Sequence, residues 1–149
     1  MTRPDPALAM LLEALDEAFD HQSWHGTNLR GSMRGIDAGE AAWRPAAGRH
    51  NIWEIAVHAA YWKYAARRRL TGEKRGSFGL EGSNWFKRPE KDPADLDAAW
   101  VADSRLLIQE HLLLKEAVAA FDPSKLGRKL GKSKITAAYL IRGIIAHDL

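Results

Sequence analysis

The 149-residue chain contains no cysteine, which excludes disulfide bonds, thiolate metal ligands and a cysteine nucleophile. It also lacks any apolar run near the roughly 20 residues that a membrane-spanning helix needs. The first residues do not form the apolar stretch of a signal peptide, so we predict a cytoplasmic protein with no membrane partner. Metal or acid–base chemistry therefore has to come from the six histidines and the carboxylates.

Charge is nearly balanced, because 22 basic residues stand against 19 acidic ones. The basic excess lies in residues 51–91 and includes Lys63, Arg67, Arg68, Arg69, Lys74 and Arg75. A nucleic-acid-binding face would also need groups that stack on or read bases. The alternative is a helix C-terminus whose cations meet the negative end of the helix dipole. We favour that alternative and predict no nucleic-acid partner.

Apolar residues recur with helical spacing in four segments, and no segment alternates as a strand does. The predicted helices cover about residues 6–35, 52–70 and 93–122, and a fourth begins after a cap at Ser133. Gly26 marks a bend in the first helix, and Asp92 followed by Pro93 begins the third. Burying four apolar stripes together predicts one all-α domain over residues 1–149, a four-helix bundle.

Residues 73–91 form a long predicted loop between the second and third helices. Loops of this length in compact domains are usually functional or disordered. This one carries Phe78, Trp85 and Phe86, so we expect it to pack on the helices. The sequence leaves open whether Trp85 is a lid over a pocket or only packs the loop in place.

Two histidines lie near the apolar faces of different predicted helices. His58 comes four residues after Glu54 and four before Trp62, and His147 lies on the stripe of the fourth helix. Imidazole is the commonest protein metal ligand, and bundles build metal sites from side chains on facing helices. Each histidine alone is more simply a hydrogen-bonded residue at the edge of the core. We expect His50 to make a structural hydrogen bond.

Four motifs occur in a characteristic order along the chain. They are Trp43-Arg44-Pro45, the run from Gly48 to Glu54, the run from His58 to Trp62, and the run from Arg142 to Leu149. In this order they resemble the DinB/YfiT-like superfamily. The resemblance implies a four-helix bundle, commonly a homodimer, with a divalent zinc or nickel ion held by three histidines.

The resemblance implies that His58 and His147 are two of these ligands. The third would fall four residues after His147, past Leu149, so the fourth helix reads as truncated and we expect weak or absent metal binding. His25 is the substitute ligand within the chain, or else a polar residue at a helix kink. His111 is expected at a boundary of the third helix.

The resemblance also implies thiol-dependent S-transferase, isomerase or hydrolase chemistry with a low-molecular-weight thiol as partner. Glu54, Trp62 and Trp85 are expected around the ligands, with Glu54 or Asp148 orienting an imidazole. No catalytic base can be named. The alternative is a non-catalytic helical module that binds a small molecule or dimerises. The two interpretations differ in whether the tips of His58 and His147 converge.

Overall fold

The computed structural model describes residues 5–149, and these residues form six α-helices and no β-strand. The helices are α1 (Pro6–Phe19), α2 (Leu29–Ser32), α3 (Ala38–Ala42), α4 (Ile52–Thr71), α5 (Leu96–Ala119) and α6 (Ala137–His147). The predicted all-α class is confirmed. Within the described residues, no helix is both long enough and apolar enough to cross a membrane.

The four longer helices pack in a ring in which α1 contacts α5, α5 contacts α4, α4 contacts α6 and α6 contacts α1. Helix α4 carries small, fully covered side chains such as Ala56, Ala60 and Ala66, which let its neighbours approach closely. The capping box predicted at its start is present, since Asn51 accepts from the backbone N–H of Glu54 at 2.8 Å.

Buried side chains form two apolar clusters. The first surrounds Trp53 and Trp100 and takes in Phe86 from the long loop. The second contains Leu15, Leu114 and Ile141, and it joins α1, α5 and α6. The packing of residues 73–91 on the helices, expected from their aromatic side chains, is therefore confirmed for Phe86.

The prediction of one long helix over residues 6–35 is wrong. Helix α1 ends at Phe19, and a turn follows in which Gly26 adopts a φ of +98°. The side chain of Ser23 donates to the Gly26 carbonyl, and that of Asn28 donates to the His21 carbonyl and caps α2. These side-chain hydrogen bonds to the backbone stabilise a turn in place of a helix. The spacing of apolar residues gives no information about such bonds.

The predicted starts of the last two long helices are also wrong, each by three residues. Asp92 has a φ of +52°, whereas an N-cap needs extended backbone, so Asp95 caps α5 instead. Ser133 makes a local turn by accepting from the N–H of Ile135, and Thr136 caps α6. In both cases the prediction took the first of two polar residues whose side chains can cap a helix, whereas the second one is the cap.

The expectation of a solvated basic helix end holds only in part. Arg69 is exposed in the last turn of α4, whereas Lys63 and Arg67 are buried. Lys63 pairs with Asp148, and Arg67 pairs with both Glu73 and Glu110. Asp148 and Glu110 are 85 and 43 positions away from the cations that they bind, and helical periodicity does not reveal such partners.

We predict that Leu114→Ala lowers the free energy of unfolding by about 2–5 kcal/mol, because it opens a cavity in the second apolar cluster. The matched control is Leu112→Ala on the same helix, where the side chain is 52% exposed and the loss should stay within about 0.5 kcal/mol. Urea unfolding followed by circular dichroism measures both. Equal losses in the two variants would contradict the packing described.

Candidate functional site

The structure brings together the two histidines singled out in the sequence. His58 lies in the middle of α4, and His147 is the last residue of α6. Their Nε2 atoms are 3.3 Å apart, and their ring centroids are 5.1 Å apart. His147 is exposed rather than inward-facing, so the pair lies at the molecular surface and not in the core.

Asn84, in the long loop, holds His58 in place. Its backbone carbonyl accepts from His58 Nδ1 at 2.8 Å, and its side-chain oxygen accepts from the Trp62 indole N–H at 3.0 Å. Asn84 has a φ of +64°, a left-handed conformation that asparagine tolerates better than most residues. Because Nδ1 donates its proton to the carbonyl, Nε2 of His58 presents a lone pair toward His147.

Trp85 is stacked between two imidazoles. Its ring centroid is 3.7 Å from that of His58 and 3.6 Å from that of His50, and the planes are within 7° and 2° of parallel. Two rings stacked this closely on one indole must occupy its opposite faces. Trp85 therefore covers one side of His58.

Glu54 organises the neighbouring corner of the site rather than His58. Both of its carboxylate oxygens bind the guanidinium of Arg44, at 2.7 and 2.9 Å, and one also accepts from His50 Nδ1 at 3.1 Å. The Arg44 hydrogen bonds are the main reason that the Glu54 pKa falls to about 2. Of the imidazoles, Glu54 orients His50, which makes the structural hydrogen bond expected of it.

Asp148 does not orient an imidazole either. It forms a buried ion pair with Lys63 from α4. This pair fixes the end of α6 against α4 one residue after His147. The expected role of Asp148 beside a ligand is therefore replaced by one in positioning the helix end.

An apolar cavity of about 430 Å³ opens beside the pair. Its lining includes Trp62, Ile135, Tyr139, Leu140, Gly143 and Ile144, together with Asn84 and the two histidines. The sequence analysis identified Trp62 but missed Asn84 and Tyr139. The Gly82-Ser83-Asn84 run preceding Trp85 was the available signal for Asn84, because such residues make turns with left-handed backbone.

The separation of the two Nε2 atoms fits two ligands of one metal ion. Two nitrogens bound to a tetrahedral zinc at 2.0–2.1 Å lie about 3.3–3.4 Å apart. Partial desolvation lowers the pKa of His58 and, together with the charge of nearby Lys63, that of the more exposed His147, which favours the neutral imidazoles that metals require. Among the described residues, no third His, Cys, Asp or Glu ligand atom joins the pair, whereas catalytic zinc sites usually have three protein ligands.

Among the residues that the structure describes, one group of three potential metal ligands lies elsewhere. The ligand atoms of Asp16, Asp20 and His21 lie within 4.8 Å of one another. Asp16, however, already binds the ammonium group of Lys115 at 2.7 Å, and His21 binds Asp20 at 2.6 Å. A cation there would have to displace these contacts, so this cluster is a weaker candidate than the histidine pair.

The two remaining candidate histidines lie elsewhere. His25 is exposed in the turn between α1 and α2 and does not join the pair. His111, expected at a helix boundary, is buried and stacks on Phe19 at 3.8 Å. Its burial, with Lys63 nearby, lowers its pKa to about 4. His111 is thus a core residue.

Comparison with known proteins shows the family. The model of the DinB superfamily matches residues 21–149. The chain therefore belongs to the DinB superfamily, and the resemblance seen in its motifs is confirmed. Neither the curated proteins nor the solved structures gave a match.

We predict that Glu54→Gln lowers the free energy of unfolding by about 1.5–3 kcal/mol at neutral pH, the usual effect of losing hydrogen bonds to a charged group. The folded-state pKa of Glu54 is lowered from 4.5 to about 2, so its contribution is complete above pH 4.5 and is lost as the pH falls toward 2. The difference between wild type and variant should therefore shrink over that range.

Urea unfolding at pH 7, 5 and 3 measures this difference. Glu116→Gln is the matched control, since Glu116 is exposed and its carboxylate has no ion pair in the described structure. A difference between wild type and Glu54→Gln that does not change with pH would contradict the assigned ionic contact.

Proposed function

We propose that the protein is a metal-dependent enzyme that joins the sulfur of a low-molecular-weight thiol to a carbon of a small apolar substrate. The S–H bond and the bond from that carbon to its leaving group break, the C–S bond forms, and the leaving group departs with a proton. His58 and His147 would hold a divalent ion, zinc or nickel, in its active site. The observation that carries the proposal is the 3.3 Å separation of the two Nε2 atoms at the mouth of an apolar cavity. Membership of the DinB superfamily supports it.

The metal would supply one thing, a lowered pKa for a bound thiol or water, which makes an anionic nucleophile near neutral pH. The chain's own residues do the rest. The Asn84 carbonyl keeps a proton on His58 Nδ1 and leaves Nε2 free to bind. Trp85 covers His58, and Ile135, Leu140 and Ile144 would give an apolar substrate an aliphatic surface to pack against.

Thiol transfer is proposed ahead of hydrolysis because of the lining of the cavity. The side chains around it are mainly apolar, and none of those lining it is a carboxylate that could activate water. Tyr139 carries a hydroxyl at this lining and is the candidate for delivering a proton to the leaving group. The homodimer that the resemblance implies stays a prediction.

The donor set predicts modest metal affinity. Two imidazoles give fewer bonds than the three protein ligands of most catalytic zinc sites, so the remaining positions are open to water, thiol or a further group. A soft thiolate from the substrate is well suited to one of these positions. Thiol and metal are therefore expected to bind cooperatively.

The second candidate is a non-catalytic module that binds a small apolar molecule. It is favoured by the same 430 Å³ cavity, whose aliphatic and aromatic walls would hold such a ligand without a metal. In this case binding would not depend on the imidazole nitrogens. Loss of His58 and His147 would leave the ligand affinity nearly unchanged.

We predict that metal-free protein binds one Zn²⁺ or Ni²⁺ and that His58→Ala or His147→Ala each weakens binding about tenfold or more, because each removes one of two ligands. Competition with a coloured chelator measures the affinity. His25→Ala is the control and should bind as wild type does, since His25 lies in an exposed turn. Circular dichroism confirms that each variant is folded.

Two outcomes would contradict the proposal. Metal binding that survives in the double variant and is lost in Asp20→Asn would move the ion to the Asp16, Asp20 and His21 cluster. Binding of an apolar ligand with no metal binding at all would favour the second candidate. Thiol-transfer activity should require the metal and disappear in His58→Ala.

A further inference from the structure

A second cavity, of about 390 Å³, lies against the other face of Trp85. Its lining consists of Gly48 and seven residues with side chains, which are Arg44, Arg49, His50, Glu54, Trp85, Phe86 and Lys87. His50 stacks on this face of the indole at 3.6 Å, and His58 stacks on the opposite face at 3.7 Å. The indole of Trp85 therefore lies between His50 of this cavity and His58 of the histidine pair.

The charges in this cavity do not cancel. Glu54 is the one acid of its lining, and both of its oxygens are bound by Arg44. Arg49 and Lys87 are exposed, and neither forms an ion pair with any other residue in the range 5–149. Two basic residues thus line one cavity, and neither has an acidic partner among residues 5–149.

Such a pair of free cations has a defined ligand chemistry. A guanidinium donates two parallel hydrogen bonds that match a carboxylate, and an ammonium adds a second charge-assisted bond. The Arg44 guanidinium is already committed to Glu54 and to the Arg49 carbonyl, so it serves as a rigid wall. Arg49 and Lys87 remain available to bind an anion.

We propose that Arg49 and Lys87 form a subsite for the carboxylate of the substrate thiol, whose sulfur reaches over the edge of Trp85 to the histidine pair. This inference rests on the proposed function for the sulfur end alone. The carboxylate end depends only on the two cations. The substrate class is then a small carboxylate-bearing thiol long enough to span the stacked rings of His50, Trp85 and His58.

The carboxylate end is tested on metal-free protein with succinate as the probe and the neutral diamide succinamide as the matched ligand. Backbone amide NMR shifts should move at Gly48, Arg49 and Lys87 with succinate and not with succinamide. The double variant Arg49→Ala/Lys87→Ala should weaken succinate binding by at least about tenfold, because it removes both charge-assisted contacts.

The control double variant is Lys129→Ala/Lys132→Ala, which removes two exposed cations from the loop before α6. It should bind succinate as wild type does. Equal loss in both double variants, or succinate shifts spread over all basic surfaces, would overturn the subsite. Both pairs are exposed, so folding should be unaffected, and circular dichroism checks this.

The sulfur end is tested with ω-mercaptocarboxylates of increasing chain length in the presence of Zn²⁺. Affinity should rise to a maximum at the length that joins the two ends, and Arg49→Ala/Lys87→Ala should abolish that maximum. A flat length series with succinate binding intact would refute the link to the histidine pair and leave the carboxylate subsite standing. Metal binding without succinate binding would refute the subsite and leave the proposed function standing.

Discussion

Two hydrogen bonds donated by α4 side chains to Asn84 fix the orientation of His58 and Trp62. The loop of residues 72–95 has no helix of its own, yet Asn84 joins it to both His58 and Trp62. The same contact sets which nitrogen of His58 is free and places Trp85 over the ring. The orientation of His58 and the placement of Trp85 therefore depend on one residue in a left-handed conformation.

A buried ion pair between Lys63 and Asp148 fixes the other side of the site. Lys63 and Asp148 are almost completely removed from water, and desolvation of two charges is tolerated only when they meet closely. The pair fastens the last turn of α6 to α4 and so sets the position of His147. The site is thus held from one side by a loop carbonyl and from the other by two opposite charges.

The sequence predicted the helical class, the start of α4 and the convergence of His58 with His147, because each depends on short-range spacing or on motifs. It did not predict the break after Phe19, where side chains of the turn compete with helix. The partners of Glu54 and Lys63 were also missed. Those pairings bring together residues that are 10 and 85 positions apart, and no local pattern records them. The sequence therefore predicted which two histidines lie together, and it did not predict the residues that orient them.

The two imidazoles are supported by different parts of the interior. His58 lies beside α4 residues of the cluster around Trp53, whereas His147 follows Ile144 of the cluster around Leu15. The distance between the two imidazoles therefore depends on how these two apolar clusters pack against each other. A substitution that changes the volume of a buried side chain in either cluster changes this distance without altering any residue of the site. Substitutions in the core are therefore a second way to change the chemistry of the site.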